Sequence, residues 1–157
     1  MSETAVTING KKLTGKSGQT ILDVALENGI EIPNLCHDSR LKPTGSCRLC
    51  LVEVEGQGGP VPACSFEIAD GMVVQTDTEE IRGLRRTVLE LLFYEHRGVC
   101  TTCDENGECK LQQYGYEYQI SDECFNLPVS GEQKTITQLV MRRLNTTRIS
   151  AYAAAGV

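Results

Sequence analysis

The sequence lacks tryptophan, has only 5% aromatic residues, and contains no apolar run near the roughly 20 residues that a membrane-spanning helix needs. Residues 1–7 have neither the charged segment nor the apolar core of a secretory signal peptide. Excess positive charge is also absent, since the formal net charge is −6, and this argues against nucleic acid and anionic membrane surfaces as partners. The hydrophobic content of 40% is compatible with a folded globule. We therefore expect a folded cytoplasmic protein without a membrane span.

Cysteine, by contrast, is abundant, with eight residues in 157. Disulfides are rare in the cytosol, so this number indicates metal or redox chemistry. Seven of the eight fall into two groups, and a histidine accompanies the second group: Cys36, Cys47, Cys50 and Cys64, then His96, Cys100, Cys103 and Cys109. Thiolates gathered so closely repel one another unless a cation lies between them. Both groups are therefore interpreted as metal sites.

The first elements predicted are a β-hairpin and a helix. Residues 4–8 alternate in polarity, and Asn9-Gly10 is the preferred pair for a type I′ turn into a return strand at 11–14. Residues 10–17 also match the phosphate-loop pattern, but the helical pattern begins only at Thr20, so we favour the hairpin. Thr20 and Asp23 predict a capped helix that ends at Gly29 and has one apolar face: Ile21, Leu22, Ala25 and Leu26.

The following segments predict strands and then a longer helix. Strands are expected at 50–55, with Val52 and Val54 on one side, and at 72–76. Thr78 is the expected N-cap of a helix that ends near His96. Its apolar stripe repeats every three or four residues: Ile81, Leu84, Val88, Leu89, Leu92 and Phe93. A short helix from 107 to about 114, capped by Asn106, is expected to follow.

The first cysteine group has the spacing Cys36-x10-Cys47-x2-Cys50-x13-Cys64. Plant-type [2Fe–2S] ferredoxins use a shorter first gap and a distant fourth cysteine. A structural zinc site normally uses two close pairs of cysteines, whereas only Cys47 and Cys50 form such a pair here. We therefore favour an iron–sulfur cluster over zinc. Gly45 is expected to adopt a positive φ that brings backbone N–H groups towards the cluster.

Residues 45–54 (GSCRLCLVEV) and 62–64 resemble the N-terminal [2Fe–2S] domain of the large iron–sulfur subunit of respiratory complex I. A similar domain begins many [FeFe]-hydrogenases and NAD-linked formate dehydrogenases. The resemblance implies that the [2Fe–2S] cluster is bound by Cys36, Cys47, Cys50 and Cys64. The order of hairpin, helix, cysteine loop and two strands is likewise similar to a β-grasp ferredoxin. The predicted fold class is α+β, a β-grasp domain followed by a small, mostly helical cluster domain.

The second group, His96-x3-Cys100-x2-Cys103-x5-Cys109, resembles the next domain of that family, which binds a [4Fe–4S] cluster. The resemblance implies that these four residues are the cluster ligands. Replacing one thiolate by a neutral imidazole removes a negative charge, so the reduced cluster forms more easily. A zinc site with three thiolates and one imidazole is the alternative. Zinc is less favoured than iron here, because both motifs occur in the order found in the family.

The division predicted from these patterns is a [2Fe–2S] domain at 1–77, a [4Fe–4S] domain at 78–120 and a C-terminal extension at 121–157. The extension contains Cys124, which matches no ligand position, and a helical pattern at 136–144. No further run of cluster-binding cysteines follows, so the chain is either a separate small subunit or a fragment.

No arrangement of side chains predicts a catalytic site. The resemblance implies instead an electron-transfer subunit that relays single electrons within a multi-subunit NAD(P)-linked oxidoreductase. Such a complex is a hydrogenase, a formate dehydrogenase or a complex I-like enzyme, including electron-bifurcating ones. The expected partners are a flavin- or NAD(P)-binding subunit and a catalytic hydrogenase or formate dehydrogenase subunit. The alternatives are a free-standing soluble ferredoxin and a zinc-stabilised interaction domain.

Overall fold

A computed structural model describes residues 3–96 and 100–120. The chain divides into the compact units Met1–Leu127 and Pro128–Val157, and every described residue belongs to the first. Cys124 and the helix predicted at 136–144 lie outside the described residues. Within the described ranges, no helix is long and apolar enough to cross a membrane. The domain boundaries predicted at residues 77 and 120 stay predictions.

A mixed five-stranded sheet forms the first part of this unit. Its strands are β1 (Glu3–Ile8), β2 (Lys11–Lys16), β3 (Leu51–Val54), β4 (Val61–Pro62) and β5 (Met72–Gln75), in the spatial order β2-β1-β5-β3-β4. β1 and β5 are parallel, and the other neighbouring pairs are antiparallel. The predicted α+β class with a β-grasp-like sheet is confirmed.

The hairpin between β1 and β2 forms as predicted. Asn9 and Gly10 have φ values of 51° and 79°, the positive angles that both central residues of a type I′ turn require. The rest of the segment matching the phosphate-loop pattern lies mainly in β2 rather than at the start of a helix. A phosphate loop needs that helix, so the match has no structural support.

The first helix, α1 (Ile21–Glu27), has the capping box predicted for it. The Thr20 hydroxyl accepts a hydrogen bond from the Asp23 N–H at 3.2 Å, and the Asp23 carboxylate accepts one from the Thr20 N–H at 3.0 Å. The prediction that Leu26 lies on the buried face is wrong, because Leu26 is 47% exposed and Val24 is fully buried. The buried face of so short a helix is decided by how its first turn docks.

That docking ties the first turn of α1 to the segment that follows β4. The Ile21 N–H donates to the Phe66 carbonyl at 2.9 Å, and the Leu22 N–H donates to the Ala63 carbonyl at 3.0 Å. The face buried in this way joins a core formed mainly with the sheet: Val6, Ile8, Ile21, Leu22, Val24, Ala25, Ile32, Cys50, Val52, Val54, Ala63, Cys64, Ile68 and Val74. Two of the predicted cluster ligands, Cys50 and Cys64, therefore belong to the main core.

The second helix, α2 (Glu79–His96), begins after Thr78, whose hydroxyl accepts from the Ile81 N–H at 3.2 Å. Its fully buried residues recur every four positions: Ile81, Arg85, Leu89 and Phe93. Leu84, predicted in the apolar stripe, is 37% exposed, and that part of the prediction is wrong. Only about one residue per turn of α2 is fully buried, so the buried stripe is narrower than the apolar pattern of the sequence.

The chain from Cys100 to Thr102 forms a short 3₁₀ helix, and α3 (Lys110–Glu117) follows with Cys109 as its N-cap residue. The prediction of a helix from 107 capped by Asn106 is wrong. Gly107 has a φ of 93°, a left-handed angle that a right-handed helix cannot contain. The helix therefore begins three residues later than expected. A second apolar cluster lies against α2 and α3: Leu49, Leu89, Phe93, Tyr118 and Ile120.

Candidate metal centres

The first cysteine group lies where the loops meet the sheet. Cys36 is in the loop after α1, Cys50 directly precedes β3, and Cys64 follows β4. Cys50 and Cys64 are each only 1% exposed, whereas Cys36 and Cys47 are half-buried. All seven cysteines in the described residues are free thiols. The strands and the loops therefore present two thiols from inside the core and two from its edge.

The Cys36 sulfur is surrounded by hydrogen-bond donors of the second loop. Burial by itself raises the pKa of this thiol, but hydrogen bonds lower it overall. They come from the backbone N–H and thiol of Cys47, the Ser46 N–H and the Thr44 side chain. Donors arranged in this way stabilise a thiolate, which is the form that binds metal. This loop is thus prepared for a negatively charged sulfur.

Cys50 has the opposite environment. Burial raises its pKa to about 12, although the Cys64 N–H donates a hydrogen bond to its sulfur. The two thiols of Cys50 and Cys64 are also hydrogen-bonded to each other. The Cys50 thiol must therefore lose its proton before it can bind a cation. The four thiols of the first group are therefore arranged as two contacting pairs, Cys36 with Cys47 and Cys50 with Cys64.

The loop between these residues has an unusual backbone. Gly45 has a φ of 62°, as predicted, and Arg48 has a φ of 54°, although it is not a glycine. Left-handed angles at ordinary residues cost free energy and are kept where the surrounding structure needs them. The Nδ1 atom of His37, next to Cys36, is buried without a hydrogen-bond partner among the described residues. The loop thus has a strained residue and an unsatisfied polar atom beside the thiols.

The second group surrounds one concave site at the end of α2. His96 occupies the last position of that helix, Cys100 the first position of the 3₁₀ helix, and Cys109 the N-cap of α3. All four predicted ligands line the same pocket, with Phe93, Glu105, Asn106, Leu111 and Gln112 as their neighbours. The three cysteines are half-buried and His96 is exposed. The structure thus brings the predicted set together around one partly exposed site.

The loop that carries Cys103 and Cys109 is held by Gln112 rather than by a helix cap. The buried Gln112 side chain accepts from the Gly107 N–H at 2.8 Å and donates to the Asn106 side-chain oxygen at 2.9 Å. These two bonds fold residues 106–107 back onto α3. The Asn106 side chain thereby stabilises the loop that connects two candidate ligands.

The two centres share one apolar cluster. Cys47, of the first centre, packs against the cluster that contains Phe93, and Phe93 also lines the pocket of the second centre. Tyr114 of α3 accepts a hydrogen bond from the Asn34 N–H at 3.3 Å, two residues before Cys36. The centres are therefore neighbours across continuously packed side chains.

Comparison with protein families identifies both regions. Residues 2–79 match the model of the 2Fe-2S iron-sulfur cluster binding domain. Residues 85–123 match the model of the NADH-ubiquinone oxidoreductase-G iron-sulfur binding region, which binds a 4Fe–4S cluster. The chain belongs to the family of iron–sulfur subunits that contain both of these regions. Because both matches are iron–sulfur regions, the zinc alternative for either centre loses its support.

Individual similar proteins support this family assignment. The chain is 43% identical over 123 residues to a subunit of the NADH-quinone oxidoreductase of Rhizobium meliloti, a match that covers 78% of the chain. It is also 42% identical over 112 residues to the NADPH-Fe(3+) oxidoreductase subunit alpha of Geobacter sulfurreducens. This second match covers 71% of the chain. These matches span only 14% and 13% of the two relatives.

A solved structure of an NAD+-reducing [NiFe]-hydrogenase in the H2-reduced state also aligns with the chain. The TM-score is 0.73 at 31% identity, and the alignment covers 85% of this chain and 56% of the hydrogenase chain. Homology to oxidoreductase subunits of these kinds gives the iron–sulfur protein an electron-transfer role.

The described residues fit the groups that the family binds. A [2Fe–2S] cluster with four cysteines takes two thiolates on each iron, and the first centre presents its thiols as two pairs. No three His, Cys, Asp or Glu side chains in residues 3–96 and 100–120 are arranged around a single metal ion. The first centre does not need such a trio, because each of its two pairs of thiols is able to hold one iron. In the second centre, three thiols and an imidazole, all among the described residues, line one concavity without surrounding a single ion. That spacing suits a four-iron cluster, because each of its irons takes one protein ligand.

One residue beside these centres is not evident from the sequence motifs. Arg85 occupies the middle of the buried face of α2 and is 2% exposed. Its guanidinium donates to the carbonyls of Leu49 and Leu51, which flank Cys50. The signal is present in the sequence, because an arginine four residues after Ile81 and four before Leu89 interrupts an apolar stripe. An arginine at such a position is commonly taken for a residue at the edge of the stripe.

Proposed function

We propose that the chain relays single electrons between redox partners of a multi-subunit NAD(P)-linked oxidoreductase. The proposed ligands of the [2Fe–2S] cluster are Cys36, Cys47, Cys50 and Cys64, and those of the [4Fe–4S] cluster are His96, Cys100, Cys103 and Cys109. The observation that carries the proposal is the position of both donor sets in one compact unit, on either side of one apolar cluster.

Backbone N–H groups and apolar side chains have different roles in holding the two electron carriers. The N–H groups of Ser46 and Cys47 are directed at the Cys36 sulfur, so they are placed to stabilise negative charge there. Phe93 and its apolar neighbours exclude water between the centres. When bound, the two clusters supply one-electron carriers separated by protein rather than by solvent.

The proposed partners follow from the relatives. The matched proteins are subunits of NADH-quinone and NADPH-Fe(3+) oxidoreductases, and a structural relative is an NAD+-reducing hydrogenase. We therefore propose that a flavin- or NAD(P)-binding subunit lies on one side of the relay and a hydrogenase, formate dehydrogenase or similar subunit on the other. A cytoplasmic location is part of the same proposal and is consistent with the seven free thiols.

The proposal is tested by metal analysis of anaerobically purified protein combined with electron paramagnetic resonance of the reduced sample. We expect about six irons per chain, from one cluster of each kind, and two overlapping signals with different temperature dependence. Stoichiometric zinc with little iron would overturn the proposal. Purification from the source cells, with and without salt washing, shows whether the chain is isolated with partner subunits or alone as a free ferredoxin.

A further inference from the structure

Arg85 is a fully buried cation in a part of the fold that could be apolar. It is 2% exposed, and the positions one turn before and after it on α2 are Ile81 and Leu89, both fully buried. Burying a guanidinium is unfavourable unless its N–H groups are hydrogen-bonded and its charge is compensated. An aliphatic residue here would avoid that cost, so the arginine calls for a reason beyond packing.

The hydrogen bonds of Arg85 satisfy its donors but do not neutralise its charge. Nε donates to the Leu49 carbonyl at 3.0 Å, and Nη2 donates to the carbonyls of Leu51 and Thr76, each at 2.8 Å. Nη1 donates to the Tyr118 hydroxyl at 3.3 Å. All four acceptors are neutral oxygens. The guanidinium therefore keeps a positive charge inside the protein.

A carboxylate does lie near this charge, but it is shared and half-exposed. Asp77 is 3.9 Å from Arg85 and only 2.9 Å from the exposed Arg82, and its side chain is 51% exposed. An exposed carboxylate that already has a closer cation compensates a buried charge weakly. Asp77 thus leaves the positive charge of Arg85 poorly compensated on its buried side.

The acceptors of Arg85 lie on both sides of a proposed cluster ligand. Leu49 directly precedes Cys50 and Leu51 directly follows it. The carbonyl of Cys50 itself accepts from the Ala63 N–H at 2.9 Å, beside Cys64. Three consecutive carbonyls are therefore fixed, two of them by one guanidinium. A rigid planar fork of donors is suited to hold two carbonyls at once.

Four cysteine thiolates make the first centre an anionic site, and reduction adds a further negative charge. A fixed cation close to such a site favours the more negative state. We propose that Arg85 is a positioning residue for the first centre: it fixes Cys50 through the carbonyls on either side, and its buried charge raises the reduction potential of the cluster held there. This inference rests on the ligands given under the proposed function.

Redox titration of the two-iron signal in holoprotein variants tests the inference. Arg85→Gln removes the charge and keeps a polar group, whereas Arg85→Lys keeps the charge without the planar fork. For Arg85→Gln we expect the equilibrium constant for reduction to fall by about tenfold, which is about 59 mV for one electron. Arg85→Lys should change it by less than about threefold but release iron faster to a chelator, because Cys50 is less firmly held.

Arg86→Gln is the matched control, since it removes the same charge at the next position of α2 from a side chain that is 41% exposed and that pairs with Glu90 rather than with Asp77. We expect it to leave the two-iron potential within about twofold of the unmodified protein, because solvent screens that charge. Circular dichroism of each variant shows whether the fold is retained. Arg85→Met serves as a second uncharged variant should Arg85→Gln fold poorly.

Three results would overturn the inference. One is an unchanged potential in a folded, uncharged Arg85 variant, and another is an equal shift from Arg86→Gln. The third is a shift in Arg85→Lys as large as that in Arg85→Gln, because charge would then not be the cause. Absence of a two-iron signal from the unmodified protein would instead overturn the proposed function, and this inference with it.

Discussion

The two candidate centres differ in how much of the fold holds them. In the first, Cys50 and Cys64 are part of the main core and each is 1% exposed. In the second, the cysteines are half-buried, His96 is exposed, and the ligands come from helix ends and one short loop. Exposure and hydrogen bonding both affect the potential and the lability of a cluster. One compact unit can therefore build a core-anchored centre and a surface-anchored centre, and we expect the two to respond differently to substitution.

The largest expected effect comes from removing a ligand of the core-anchored centre. Cys47→Ser should abolish or strongly perturb the two-iron signal and leave the four-iron signal, because Cys47 belongs only to the first group of thiols. Electron paramagnetic resonance and iron analysis measure both. Cys124→Ser, at a position outside both motifs, is the control and should change neither signal. Loss of both signals in a folded Cys47→Ser protein would show that the ligands are wrongly divided.

The surface-anchored centre is tested most directly at His96. His96→Cys adds a thiolate charge, so we expect a retained cluster with a lower reduction potential. His96→Ala should give a cluster that loses iron during handling, because solvent can occupy the open coordination position at an exposed site. Redox titration and iron content of the two variants provide the measurements. A potential that ignores His96 and responds to Cys124→Ser would identify Cys124 as the ligand instead.

Sequence reasoning is most successful where the signal is local. The capping box of Thr20 and Asp23 and the positive φ of Gly45 depend on neighbouring residues and the local turn, and both are confirmed. The grouping of His96 with three cysteines in one pocket also follows from short spacings. The ligand assignments themselves stay predictions until a loaded centre is measured.

The errors arise where tertiary contacts decide. Leu26 fits the helical pattern but is exposed, because the docking of α1 against residues 63–67 selects another face. Asn106 fits an N-cap, yet its side chain is bonded to Gln112. Periodicity does not reveal Arg85, because a helical pattern treats an arginine as exposed. The carbonyls that accept from Arg85 lie 9 to 36 residues away in the sequence. No local pattern contains that information.

The smallest expected effect compares how tightly the two regions are packed, without touching a ligand. A Cβ atom on Gly15 of β2 would lie 2.6 Å from Ile68 Cδ1 and 2.7 Å from Val24 Cγ2. Gly83 of α2, the helix that leads to the second centre, has no neighbouring atom within 4 Å of an added Cβ. Neither glycine has a positive φ, so alanine is sterically compatible with both backbones.

We therefore expect opposite signs for the two substitutions. Gly15→Ala should lower the free energy of unfolding by about 1–3 kcal/mol, because the core must move to accept the methyl group. Gly83→Ala should raise it by about 0.5–1 kcal/mol, since alanine favours the helix more than glycine does. At about 2–4 °C per kcal/mol for a chain of this size, thermal unfolding resolves the difference. Equal effects would mean that the first region is no more tightly packed than α2, and the contrast between the two centres would lose its physical basis.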